Sequence, residues 1–195
     1  MTSIDSILSA LENRTRREII KRLIYGDEYP LQLSKELRIS QQAVMKHLYI
    51  LEKNNIVKLK GIEKSDQGPN RKIYRLEDSF LLTVSLAPYF FDIRKKNIDF
   101  NENMDIKDDK LIDELKKTEN EIDKLENELI KMLKKKNAIM ERIDELLSSQ
   151  FKSVLEKEIF YAYISSWDEY FVSNEIGLPP SIVKNIVEKI LNEYI

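Results

Sequence analysis

Four short helical segments, a β-hairpin pattern behind them and one long heptad-patterned stretch predict a mainly α chain with a small β-wing. The expected order is a winged helix-turn-helix domain, a long coiled-coil helix and a C-terminal helical, helix-turn-helix-like domain. The expected boundaries are 1–78 for the winged domain and 79–109 for a strand-containing connector and linker. The coiled-coil helix takes 110–150 and the C-terminal domain 151–195.

Each element has a local cause. Ile4, Ile7, Leu8 and Leu11 share one face of a helix over residues 3–13. Asn13 caps a second helix, from about Thr15 to Tyr25, which Gly26 ends. A third runs from Leu31 to Leu37. After the turn Arg38-Ile39, Ser40 is a good N-cap for a fourth helix reaching Asn54. The pattern then alternates: residues 56–60 and 71–76 read as two strands around the turn-rich segment 65–70. Residues 80–93 are aromatic and β-branched around Pro88, and read as one or two strands that extend the sheet or pack on a partner. Residues 97–109 are rich in Asn and Asp and read as a linker.

From Leu111 the apolar period is 3.5. With Ile122 at position a, the core positions include Leu115, Ile122, Leu125, Leu129, Met132, Ile139, Ile143 and Leu146, interrupted by Thr118 and Lys136. Such a helix is roughly 54 Å long, and Ser148-Ser149 interrupts it. Its apolar seam either pairs with a second copy or folds back on residues 151–195. Lys136 at a core position would set register or partner number. Pairing would give a homodimer whose two winged domains address half-sites about 34 Å apart, or a multiple of that.

The C-terminal segment echoes the first. Ser34-Lys-Glu-Leu37 resembles Ser173-Asn-Glu-Ile176, and the same offset sets Ile39 on Leu178, Val44 on Val183, Leu48 on Val187 and Leu51 on Ile190. This is either a worn repeat or a chance likeness of amphipathic helices. The aromatic run Phe160, Tyr161, Tyr163, Trp167, Tyr170 and Phe171 packs a core or a dimer contact, or lines a ligand pocket.

Charge and composition narrow the function. Residues 1–78 hold 15 Lys and Arg against 11 Asp and Glu, whereas 79–150 hold 13 against 16 and 151–195 hold 4 against 7. Only the first part is basic, so a nucleic-acid contact is sought there. There is no cysteine and one histidine, which excludes disulfides, thiolate metal sites and a Cys–His catalytic pair. No Gly-rich phosphate loop or nucleophile–base pair argues for an enzyme. No apolar run is long enough to span a bilayer, and the first residues lack a signal-peptide pattern, so a cytoplasmic protein is expected.

On a helical wheel Val44, Leu48 and Leu51 face inward, while Gln42, Met45, Lys46, Tyr49 and Lys53 face outward with Gln41 at the flank. Gln41, Gln42, Met45, Lys46 and Tyr49 therefore form the candidate base-reading set. Gln suits adenine, Lys suits guanine or phosphate, and Met45 suits a thymine methyl. In the hairpin, Lys64, Arg71 and Lys72 lie near the tip, where they contact phosphate or the minor groove, or else only solubilise an edge. Arg14, Arg16 and Arg17 either touch phosphate or pair with Glu12 and Glu18. His47 is read as a hydrogen-bonded packing residue rather than a DNA or metal contact.

Residues 7–57 resemble the archaeal and bacterial ArsR-type winged-helix regulators. The likeness rests on Leu11-Glu-Asn-Arg-Thr-Arg-Arg-Glu-Ile-Ile20, on Leu33-Ser-Lys-Glu-Leu37 and on Ser40-Gln-Gln-Ala-Val-Met-Lys-His-Leu48. The wing sequence Gly68-Pro-Asn-Arg-Lys-Ile-Tyr74 and the long helix behind it look like the archaeal branch, nearest in layout to its sulfur-response regulators. The resemblance implies a dimeric repressor or activator on double-stranded promoter DNA, with Arg71 and Lys72 as wing contacts. The metal-binding and Cys-x-x-Cys motifs of those relatives are missing, so no cofactor is expected and no effector carries over. The competing reading is a protein-interaction scaffold built from a winged helix that does not bind DNA and a coiled coil.

Overall fold

The computed structural model describes residues 3–64, 70–100 and 110–194. The chain divides into two compact units: residues 1–84 with 92–104, and residues 85–91 with 105–195.

In the first unit, α1 (Ile4–Glu12), α2 (Arg14–Leu23), α3 (Pro30–Leu37) and α4 (Gln41–Lys53) precede β1 (Val57–Glu63) and β2 (Arg71–Leu76). The caps are those the sequence specifies. Ser3, Asn13 and Ser40 accept from the backbone N–H of Ser6, Arg16 and Ala43, each satisfying a donor the helix leaves unpaired. Pro30 occupies the first turn of α3, where its missing N–H costs nothing. Arg38 closes α3 in the left-handed region, φ 55°.

Arg16 pairs with Glu12, one of the partners read in the sequence, and both Arg16 and Arg17 have a further role. Arg16 donates from Nε to Ala10 O (2.5 Å) and from Nη2 to Ser9 O (2.6 Å). Arg17 Nη1 donates to Leu11 O and Glu12 O, both at 2.6 Å. Together they satisfy the last four carbonyls of α1, which have no partner inside the helix. Arg16 is buried doing so, and Glu12 lies 3.6 Å from its guanidinium.

The core of this unit gathers Ile19 and Leu23 of α2, Leu33 of α3, Val44, Leu48 and Leu51 of α4, and Ile56, Val57 and Tyr74 beside them. Each fully buried aliphatic side chain contributes about 1.5–3 kcal/mol, which holds α4 in one rotational setting. β1 and β2 pair antiparallel from Val57↔Leu76 to Glu63↔Arg71, with an irregularity between Leu59 and Gly61 that leaves Lys60 unmatched. Glu28 adds a bridge on the other edge of β2: its N–H donates to Tyr74 O, and Tyr74 N–H donates to Glu28 O. The wing is thereby tied to the start of α3. The turn expected at 65–70 lies, from 65 to 69, outside the described residues.

The connector differs from expectation. β3 (Phe80–Ala87) and β4 (Phe90–Asn97) form their own two-stranded sheet and do not extend the wing sheet. β4 also runs to Asn97, into the segment read as linker. Lys95 secures it, with an ion pair to Asp78 at 2.6 Å and its ammonium 4.8 Å from the Phe80 ring centre. The rest of the expected linker, 101–109, lies outside the described residues.

In the second unit α5 (Leu111–Leu147) is one continuous 37-residue helix, ending where Ser148-Ser149 was expected to stop it. It is followed by α6 (Val154–Ser166), α7 (Glu169–Ile176) and α8 (Pro180–Tyr194). Met140 and Leu147 of α5 are buried with Phe160, Ile164 and Ile190, and Ile143 packs against them. Tyr161 donates to Asp144 at 2.8 Å, and Lys157 pairs with the same carboxylate at 2.6 Å. These two partners hold the Asp144 carboxyl below its usual range, Lys157 first. Burial, then the bond to Asp144, pushes the Tyr161 phenol up.

The echo in the sequence has a counterpart in local geometry. α3 and α7 each span eight residues and end in a left-handed residue, Arg38 and Gly177. In both, a buried serine carbonyl caps the turn: Ser34 O accepts from Ile39, and Ser173 O from Gly177 and Leu178. Val183, Val187 and Ile190 are as buried as Val44, Leu48 and Leu51.

Candidate nucleic-acid interface

The interface is built around α4, because the core determines which of its faces is left outside. Val44, Leu48 and Leu51 are each 0% exposed, while Tyr49 is 66% exposed. Gln41, Gln42 and Lys46 are exposed with it. Four of the five residues assigned to base reading therefore share one open face. Met45 does not belong wholly to it. It is half-buried and packs against the core cluster.

The wing supplies cations of two kinds. Those at its base are neutralised: Lys58 pairs with Glu77, and Lys60 with Asp27 at 2.5 Å. Those toward the tip are Lys64, Arg71 and Lys72, all exposed, with no ion pair among the described residues. Arg71 is oriented by Tyr29, whose ring centre lies 5.0 Å from the guanidinium carbon, a cation–π contact that leaves its N–H donors outward.

Arg38 is a candidate that the sequence reading treated only as a turn residue. It is exposed, in the tight turn that leads into Ser40 and the N-terminus of α4. A basic residue two positions before a helix N-cap was the available signal. Arg16 and Arg17, by contrast, are committed to the carbonyls of α1, and Lys21 to Glu18 at 3.1 Å.

His47 is half-buried, and its Nδ1 is buried without a hydrogen-bond partner, so the bond expected for it is absent at that nitrogen. Burial first, then the nearby Arg16 charge, pulls its pKa below the ordinary value. Both effects disfavour the protonated imidazole. Glu28, under the wing, has one carboxylate oxygen buried and unpaired, and burial together with Glu36 pushes its pKa up. Among the described residues no group of His, Asp or Glu is arranged to hold a metal, and no helix is long and apolar enough to cross a membrane.

Residues 13–58 match the profile of the family described as bacterial regulatory protein, arsR family. The match spans α2, α3, α4 and the first residues of β1, the elements that carry the exposed face. Among solved structures, HlyU from Vibrio cholerae N16961 is 28% identical over 37% of this chain, with a TM-score of 0.31. It is matched in a form described as reduced and in a second structure, covering 70% and 72% of those chains. HlyU from Vibrio vulnificus CMCP6, described as a transcriptional regulator, is 26% identical over 37% of this chain and 69% of its own, also with a TM-score of 0.31. No curated protein matches the sequence.

The positions assigned to pairing between copies lie on α5. Leu115, Ile122, Leu125, Leu129, Met132, Ile139 and Leu146 are all exposed. Ile143 is the exception, half-buried in the core of its own unit. The helix uses two adjacent stripes there. Leu133, Met140 and Leu147, seven residues apart, face their own unit, and the d positions Met132, Ile139 and Leu146 stay open. Lys136 is likewise occupied: its ammonium sits 4.6 Å from the Phe90 ring centre, so it is not a free core lysine of a coiled coil.

Proposed function

We propose that the chain is a sequence-specific double-stranded DNA-binding transcription regulator that acts as a homodimer. α4 enters the major groove, with Gln41, Gln42, Lys46 and Tyr49 toward the bases and Met45 at the edge of the contact. Lys64, Arg71 and Lys72 of the wing, joined by Arg38, meet the backbone or the minor groove. The observation that carries this is the exposed polar face of α4, fixed by a core that buries the opposite face completely. The arsR-family match over the same helices supports it.

The homodimer reading rests on the open apolar stripe of α5. Between Leu111 and Met132 every a and d leucine, isoleucine and methionine is exposed, a stripe that water does not favour along a solitary helix. A second copy presents the same stripe. Promoter DNA and a second copy are therefore the expected partners. The scaffold reading draws on Leu59 and Ile62, apolar and exposed on the wing.

Electrophoretic mobility shift with the DNA upstream of the protein's own gene separates the two readings. The paired change Lys46→Glu and Arg71→Glu should abolish the shift with an unchanged circular dichroism spectrum. Unaltered binding by that variant rejects the assigned surface, and no shift by the unmodified protein favours the scaffold.

A further inference from the structure

The second unit contains an apolar cavity of about 470 Å³ among α5, α6 and α8, within the size range of small-molecule sites. Its floor is made by Met140, Leu147, Phe160 and Ile164, all buried. Lys135 and Lys136 are among its lining residues, and no acidic residue is. Neither lysine has an ion pair among the described residues, and Lys136 is held in place over Phe90 at 4.6 Å. The cavity is therefore greasy inside and positive at the edge.

Trp167 also lines it, and its backbone is unusual. It closes α6 in the left-handed region at φ 56°, where a bulky residue is strained and glycine is the ordinary choice; Gly177 occupies that position at the end of α7. The indole is 71% exposed and is steadied only by an edge contact with Tyr163, 5.7 Å between ring centres. A strained, open aromatic at the mouth of an apolar cavity marks a site rather than a packing element.

We infer that this cavity binds an amphipathic organic anion, a medium-chain carboxylate in the simplest case, with its apolar body over Phe160 and Ile164 and its carboxylate at Lys135. Met132 and Ile139 line the cavity and also belong to the open stripe of α5. An occupant therefore alters the surface on which two copies would meet. That coupling rests on the proposed homodimer; the binding itself does not.

Trp167 is the only tryptophan, so its fluorescence reads the site directly. The full chain is titrated with decanoate below its micelle concentration, and with decylamine as a probe of equal chain length and opposite charge. Decanoate should give a saturable spectral change, and decylamine should bind at least tenfold more weakly. Lys135→Glu, a change outside the buried core, should weaken decanoate at least tenfold and leave the helical content intact. The same titration on a chain carrying Leu125→Glu and Leu129→Glu should show decanoate binding retained, which separates the site from dimerisation. No saturable response to decanoate, or equal responses to both probes, overturns the inference. So does a Trp167 spectrum that follows protein concentration and ignores decanoate, because that would seat a second copy in the cavity.

Discussion

The salt dependence of DNA binding separates the side chains that grip the backbone from those that read bases. Arg38, Lys64, Arg71 and Lys72 are exposed and without ion pairs among the described residues. If all four meet phosphate, a homodimer neutralises eight charges. Each neutralised phosphate contributes a slope of about −0.9 in log K against log salt, so the total is roughly −7, or about four decades of affinity lost between 50 and 200 mM. Changing Arg38 and Lys72 to Gln removes four of those contacts per dimer and should make the slope shallower by about 3 to 4. Gln42→Ala should leave the slope alone and instead flatten the preference between operator and scrambled duplex, by about 1–3 kcal/mol per base pair read. Fluorescence anisotropy of a labelled duplex from 50 to 300 mM KCl measures both. An unchanged slope in the Arg38→Gln, Lys72→Gln protein would refute the assignment of these cations to phosphate. A slope near half the expected value would mean that one protomer, not two, engages the duplex.

Three further outcomes follow from particular contacts. Changing Leu125 and Leu129 to Glu should turn the dimer into monomers by light scattering without loss of helix, because neither residue is buried in its own unit; a persisting dimer would move the interface elsewhere. Arg16→Met should cost about 3 kcal/mol in denaturant unfolding, since it strips two charge-assisted bonds from buried carbonyls, whereas the exposed Arg17→Met should cost about 1 kcal/mol; equal effects would contradict the capping role. For His47, the folded state disfavours the protonated imidazole, while the unfolded chain takes a proton below about pH 6.5. Stability should then fall as pH drops through that value, and His47→Gln should lose the dependence. Glu28, shifted upward, acts in the opposite direction in both proteins, so the difference in melting temperature between them from pH 7.5 to 5.5 isolates the histidine.

The first unit was legible because its signals are local. Asn13 and Ser40 announce helix starts in the sequence itself, and the change from helical to alternating apolar spacing marks the wing. The outward face of α4 followed from the wheel alone, apart from Met45, whose long side chain packs against the core cluster. What stayed hidden depends on contacts that spacing does not encode. Arg16 and Arg17 looked like surface cations because the break at Asn13, although legible, does not show that the freed carbonyls of α1 lie within their reach. On α5, the d stripe and the Leu133–Met140–Leu147 stripe lie side by side, and periodicity does not say which meets its own unit. β4 ran past residue 93, the expected end of the strands, because the charged residues beyond it carry no strand signal, although Lys95 is fastened to Asp78 and Phe80. The aromatic run of the C-terminal segment suggested a pocket, but Lys135 and Lys136, which are among the lining residues of the cavity, come from a different helix.

The central claim is that the face of α4 and the cations of the wing together recognise particular duplex sequences. Mapping the binding sites of the tagged, full-length protein across its own genome tests this most directly. The expected result is a limited set of sharp sites sharing a two-fold symmetric sequence, all lost when Lys46 and Arg71 are changed to Glu. Diffuse occupancy without a shared sequence, or sharp sites that survive that double change, would contradict it.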